Sequence, residues 1–347
     1  MPPRPLPRAP SDVLGPAGPR LGRYAGWLDR ADLSALTPPG LLASLRHALR
    51  ERRWQRAILV GAGHLTVVEI ADGGALATGL LWVAECGGGR VALERAAAGL
   101  PGVSGRVGDR PGAGARASFS ATGLDLHLER RSDRFQLTAT AGQVRLAATL
   151  DTRGAPEPQA LVAALSDGGL RATQVSGPLA LGGWLEVGGQ RRSLEGGAAA
   201  LEFTCGVFPG AVAWRRLAAV SPAGETPRCL HLASDLPDDG AGGAVADPVG
   251  ESVLLGPGGP HPLSPLRLEA PEGWDGRGPW RAASADGAVE LAFRPHVIHR
   301  ESKELLARSS RRVVVLGALS GRLSTADGDG LLVRDWPAAA EDFLSSG

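Results

Sequence analysis

The sequence predicts an all-β protein: antiparallel sheets curled into two barrels or strongly bent sandwiches, with a short N-terminal helix. Three observations carry this expectation. Four neighbouring segments alternate apolar and polar side chains: Ala117/Phe119/Ala121, Leu124/Leu126/Leu128, Phe135/Leu137/Ala139 and Val144/Leu146/Ala148/Leu150. Successive side chains of a strand point to opposite faces, so each segment makes a half-buried strand. Turns at Thr122-Gly123, residues 131–134 and Ala141-Gly142 join the four into a meander. Fifty Gly and 27 Pro supply the many turns that such an architecture needs. Finally, 347 residues exceed one small core, and the pattern falls into two β-rich halves.

Taken in order, residues 1–20 are rich in Pro, Gly and Arg without periodicity and are expected to form a disordered arm. A helix is expected over 38–53, where Leu41, Leu42, Leu45 and Leu49 make one stripe and Arg46, Arg50 and Glu51 lie off it, with Thr37 as N-cap. Strands follow at 54–60, 65–71 and 75–85, then the meander. Pro156-Glu157-Pro158 interrupts it, and a strand pair at 161–165 and 171–175 completes a first domain, 21–175. A second domain, 176–347, opens with a hairpin turning at Gly188-Gly189. Leu201/Phe203/Cys205/Val207 then share one face, with Glu202 and Thr204 on the other. Residues 235–262 are Gly/Pro/Asp-rich loops around a short strand at 252–255. A hairpin turning at Asp286-Gly287 and strands at 313–319 and 331–336 close the chain.

Composition excludes several function classes. Net charge is +1 and no basic stripe is visible, so a nucleic-acid groove is not expected. Lys303 is the only lysine; a GC-rich genome would explain both that and the abundance of arginine and glycine. Cys86, Cys205 and Cys229 are odd in number and widely spaced, which fits small apolar residues rather than a disulfide framework. The first 15 residues lack the apolar core of a signal peptide, and the longest uncharged apolar run, 73–84, is too short to span a bilayer. A cytoplasmic protein without a membrane-spanning segment is expected.

Few motifs suggest chemistry. Gly61-Ala62-Gly63 follows an apolar strand like a dinucleotide-binding turn, but position 66 is Thr and 65–70 is strand-like, so a glycine hairpin is expected. His296, His299 and Glu301 resemble metal ligands, yet on a strand 296 and 299 face opposite sides. Asp327-Gly328-Asp329-Gly330 lacks the closing glutamate of a calcium loop. Asp235, Asp238 and Asp239 beside Pro237 fit a solvated loop. No metal and no cofactor is expected. Eight tryptophans accompany one tyrosine, and Trp54, Trp82, Trp184, Trp214 and Trp280 lie on or beside expected strands. They either fill cores or line a cavity for a large apolar ligand, with each indole N–H as a polar handle.

The order of several blocks resembles the bacterial domain of unknown function 2804 family over nearly the whole chain. These are Gly26-Trp27 and Arg52-Arg53-Trp54; residues 65–72 with Gly79-Leu80-Leu81-Trp82; Ser176-Gly177-Pro178, Gly188-Gly189 and Leu194-Glu195-Gly196; Phe203 to Pro209 with Trp214; and Trp280, Asp286-Gly287, 291–295, Gly317 and Gly321. Arg215-Arg216-Leu217 stands where the family often carries aromatic residues. The resemblance implies a lipocalin-like, calycin-like pair of barrels, distantly similar to the superfamily of carotenoid hydratases and tocopherol cyclase. Fold does not fix function.

The leading expectation is a protein that binds a hydrophobic small molecule, a lipid or isoprenoid, in a barrel cavity. One alternative is an enzyme that hydrates or cyclises an isoprenoid double bond, needing an acid kept protonated in an apolar cavity. Asp125, His127, Glu129 and Glu202 would be its candidates only if their face lined that cavity; the alternation turns them outward. A further alternative is a structural or protein-interaction module. The sequence sets no oligomeric state.

Overall fold

The computed structural model describes residues 5–165, 168–235, 250–271, 276–305, 308–325 and 330–346. The fold is all-β, with one nearly closed antiparallel barrel and one half-barrel. The first sheet contains β1 (Glu51–Gly61), β2 (His64–Asp72), β3 (Ala77–Glu85), β4 (Val91–Gly99), β5 (Gly105–Val107), β6 (Arg116–Ala121), β7 (Leu124–Arg131), β8 (Arg134–Ala141), β9 (Val144–Asp151), β10 (Gln159–Ala164), β11 (Leu170–Val187) and β12 (Ala198–Val207). Its main order is β4-β3-β2-β1-β12-β11-β9-β8-β7-β6-β5, with β10 beside β11. The second contains β13 (Val212–Val220), β14 (Cys229–Asp235), β15 (Val253–Gly256), β16 (Gly259–Pro262), β17 (Leu266–Glu269), β18 (Trp280–Ser284), β19 (Val289–Leu305), β20 (Arg308–Ser324) and β21 (Gly330–Ser346). Its order is β16-β15-β14-β13-β21-β20-β19-β18-β17.

The meander forms as its alternation demands. Leu124, Leu126 and Leu128 on β7 stand opposite Ala141, Ala139 and Leu137 on β8, all buried, while His127 and Thr138 pair on the outer face. The sheet curls until its two ends meet: a Cβ on Gly79 of β3 would sit 2.4 Å from the Phe119 ring of β6. That close approach requires glycine. Phe119, Phe135, Leu126, Leu137, Leu150 and Leu201 fill the interior of this barrel. The hairpin between β1 and β2 turns at Ala62 and Gly63, both at positive φ, the geometry that matches strand twist.

Three features depart from the sequence expectation. Residues 5–20 are folded: Val13 is fully buried in the first core, Ala9 N–H donates to Ala25 O at 2.8 Å, and Leu14–Gly15 pairs with Gly18–Pro19. Buried Pro10 and Val13, with backbone pairings to Ala25 and Arg30, hold a segment whose composition gives no periodic signal. The helix spans only Leu41–Arg50, with Gly40 as N-cap rather than Thr37. Residues 51–53 extend instead, because they pair with 205–207 of β12, and tertiary pairing outweighs local propensity. The division drawn at 175 falls inside β11; the two sheets part between Val207 and Val212. Residue 175 merely precedes an irregularity in β11 between Ser176 and Leu179, where the register against β12 shifts.

The sheets meet back to back. Ile58, Leu65, Val67, Leu80 and Trp82 from the first barrel pack against Ala218, Val314, Leu316 and Ala339 from the second. Strands β1, β2 and β12 are therefore buried on both faces, one toward their own barrel and one toward the junction.

Candidate functional site at the barrel junction

Strand register builds a row of charges inside this junction. Glu202 on β12 stands opposite Arg56 on β1, which stands opposite Glu69 on β2. Across the gap, Arg216 on β13 stands opposite Glu341 on β21. The two rows interlock. Arg56 Nε donates to Glu69 Oε2 at 2.7 Å, and its Nη2 pairs with Glu341. Arg312 of β20 bridges the same two carboxylates, Nη2 to Glu69 Oε2 at 2.6 Å and Nε to Glu341 Oε1 at 2.8 Å. Glu202 receives Trp54 Nε1–H at 2.9 Å and pairs with Arg216. Deeper in, Glu251 lies 2.8 Å from Arg171 Nη2 and 3.3 Å from His231 Nε2. Arg171 continues to Asp235 at 2.9 Å.

Removing such groups from water costs several kcal/mol each, on the order of the Coulombic gain, so a buried ionic network is weak evidence for stability alone. Its signature is chemical. Burial by itself would raise the Glu69 carboxyl, but the Arg312 and Arg56 guanidiniums prevail and hold it well below the usual range. Burial likewise opposes ionisation of Glu202 and Glu251, yet Arg216 with Arg56, and Arg171 with Arg216, hold both low. Carboxylates lowered in the folded state stabilise fully above their unfolded pKa, and that contribution is lost as pH falls through the folded pKa. Urea midpoints are therefore expected to decline progressively below about pH 4. A midpoint that stays flat between about pH 6 and pH 3 would contradict the network.

Aromatic rings form one wall of a cavity above these charges. Trp214 stacks on Phe343 at 4.2 Å between centroids and on Trp54 at 5.5 Å, and Phe208 packs behind Trp54. The Arg216 guanidinium lies 4.9 Å from the Trp54 ring centre and 5.3 Å from that of Trp214. The cavity measures about 180 Å³. Trp54, Trp214 and Phe343 line it together with the charged Arg56, Glu69, Arg312 and Glu341, with Arg52, Arg53, Glu301 and Lys303, and with Asp72, Ala75 and Leu76. Burial raises the Asp72 carboxyl above its ordinary value despite the Gly74 N–H at 3.1 Å.

Comparison with known proteins places this architecture. The family profile for the domain of unknown function DUF2804 matches residues 8–345. The chain belongs to the DUF2804 family. No curated protein matches it. The DUF2804 chain resembles the crystal structure of kievitone hydratase from Nectria haematococca, with a TM-score of 0.51 at 10% identity, covering 85% of this chain and 88% of that one. It also resembles a provisionally named AttH from Nitrosomonas europaea, with a TM-score of 0.48 at 13% identity and 86% and 92% coverage. CghA with Sch210972 matches with a TM-score of 0.42 at 11% identity and 86% and 88% coverage. At 10% identity the likeness to kievitone hydratase is one of fold alone.

Of the five tryptophan candidates for a cavity lining or a core, the DUF2804 fold brings two together at the cavity, Trp54 and Trp214. Trp82 is fully buried in the junction layer beside His299, and Trp280 lies in the second core against Phe293. Trp184 is covered by the Arg191 guanidinium 3.8 Å from its ring centre. The Trp54 N–H is used by Glu202, whereas that of Trp214 has no acceptor among the described residues. Asp125, His127 and Glu129 lie on the outer face of the meander, where Asp125 pairs with His127 at 2.7 Å. A hollow of about 710 Å³ there is lined by exposed polar side chains such as Arg116, His127 and Gln136.

Glu202, by contrast, is buried in the junction. Alternation turned it toward solvent, but the second sheet covers that face of β12 and buries it. Of the remaining candidates, His299 Nδ1 lies 2.6 Å from Glu94 Oε1 rather than facing His296. Cys205 and Cys229 are buried as expected, while Cys86 is exposed at the end of β3. Asp238, Asp239 and residues 327–329 lie outside the described residues. No local motif singles out Arg56, Glu69, Arg312 or Glu341. The one available signal was charge at positions within strands that are otherwise apolar on both faces.

Proposed function

We propose that this protein binds an apolar small molecule of the lipid or isoprenoid class at the barrel junction. One observation carries the reading: aromatic rings and buried, mutually paired charges line the same cavity. A ring or chain end packs against the cavity-lining edges of Trp54, Trp214 and Phe343, and a polar end meets the guanidinium and carboxylate groups. The cavity is smaller than the ~300–1,000 Å³ of pockets that enclose drug-sized ligands. It therefore takes a compact end, with the remainder lying outward along Leu76 and Ala75. The interior of the first barrel is filled by side chains, so the cleft between barrels replaces the expected lumen as the binding place. Titration of the full chain with fatty acids, retinoids and terpenoid alcohols should give saturable quenching of tryptophan emission by at least one class. No saturation by any of them would remove the reading.

A second reading, hydration or cyclisation of an isoprenoid double bond, is favoured by Asp72. Its carboxyl lines the cavity and burial holds it toward the protonated form. It would donate its proton to an alkene carbon; the resulting cation would rest against the indole faces, and water or an internal double bond would close the reaction by returning a proton. Glu69, held ionised by Arg312 and Arg56, does not suit proton donation. Kievitone hydratase shares the fold. The Asp72→Asn variant should abolish turnover of an isoprenoid alkene while leaving its binding intact; equal turnover would dismiss this chemistry.

A further inference from the structure

The helix α1 (Leu41–Arg50) is turned the wrong way round for a globular protein. His47 is its buried residue, while Leu41, Leu42 and Leu45 are 86%, 71% and 56% exposed. These three lie within one face of a 3.6-residue repeat, and the body of the protein takes the opposite side. A surface helix ordinarily buries such a stripe. A second, unconnected segment repeats the feature: in the turn between β4 and β5, Leu100 and Val103 are 63% and 82% exposed.

Both segments flank the same turn, residues 73–76, which contributes Gly73, Ala75 and Leu76 to the cavity. On one side, a Cβ on Gly74 would lie 2.6 Å from Ala48 O and 3.1 Å from Leu49 O, so the helix end abuts the turn. On the other, Ala77 pairs with Gly99, and its Cβ approaches Gly105. The charge is also one-sided. From Leu33 to Arg50 there is no Asp or Glu, and Arg46 is exposed beside the leucine face. An outward apolar face, an adjoining cation and a separate apolar loop describe an interfacial surface rather than a groove for another chain.

We infer that this end of the first barrel docks on the surface of an anionic lipid membrane, with the leucines in the acyl boundary and Arg46 among the headgroups. The docking rests on the proposed binding of an apolar molecule at the junction and gives it a route: the cavity edge at Leu76 lies between the two inserted segments. Flotation of the full chain with phosphatidylcholine vesicles, with and without phosphatidylglycerol, tests it. The protein should float with the phosphatidylglycerol vesicles, lose at least tenfold in partitioning in the Leu41→Ser/Leu45→Ser variant, and bind less in Arg46→Glu or high salt. These positions are exposed, and circular dichroism should confirm an unchanged fold. Failure of the parent to float, or equal flotation by the leucine variant, overturns the inference. So does a parent dimer in solution that the leucine variant dissociates, because a second copy would then cover the face. The leucine variant should still quench with a soluble terpenoid alcohol. Flotation without any such quenching would retain the docking and discard the cavity ligand.

Discussion

Replacing Arg56 by Met is expected to lower the unfolding free energy by about 3–5 kcal/mol, the usual consequence of removing one partner from a buried ionic group. Arg56 is the shared cation of three carboxylates: Glu69 at 2.6 Å, Glu202 at 3.6 Å, and Glu341. Arg312 remains for Glu69 and Glu341, and Arg216 remains for Glu202. The deficit thus leaves one uncompensated negative charge enclosed between two sheets, not a wholly bare cluster. Methionine preserves most of the aliphatic volume, so packing loss contributes little. Urea unfolding of the parent, Arg56→Met, Glu69→Gln and the double variant should reveal a coupling above about 1 kcal/mol, since residues in one network are not additive. A single-variant loss below about 1 kcal/mol would mean that the junction admits enough water to screen the charges.

Trp214→Ala should weaken apolar ligand binding by at least about 30-fold, the effect of deleting a central aromatic anchor. Trp214 is the middle ring of the wall, stacked on Phe343 on one side and Trp54 on the other, with the Arg216 guanidinium 5.3 Å from its ring centre. Truncation also opens the wall and is expected to cost about 3–5 kcal/mol of stability. Binding must therefore be measured well below the unfolding midpoint and compared with two controls. Trp214→Phe keeps a stacking ring and should stay within a few-fold of the parent. Trp280→Phe alters a tryptophan of the second core, outside the cavity lining, and should not change affinity. Equal losses in Trp214→Ala and Trp280→Phe would show that binding merely tracks global stability.

Much of the fold was legible because its signal is local. The meander alternates over 117–150 and each of its strands turns back within a few residues, so the face of Phe135 or Leu146 follows from its neighbours. The opposite faces of Phe203 and Glu202 follow from the same two-residue period. Where the signal is tertiary the expectation failed. The leucine stripe of the helix has clear periodicity, but periodicity cannot say which side meets the body, and the body took the side of His47. Residues 5–20 show no period, and a few pairings with the strand at Gly22–Ala25 and its surroundings hold them.

By itself the sequence determined the strand-rich architecture, the membership suggested by its ordered blocks, and the inside or outside of each alternating segment. Only the tertiary structure decided that the outside of one barrel would become the inside of a junction. Arg56 and Glu341 are separated by 285 positions, and no local pattern relates them. They meet because two curled sheets press their outer faces together. A charge that alternation assigns to solvent then loses its water and must find an opposite charge on the other sheet.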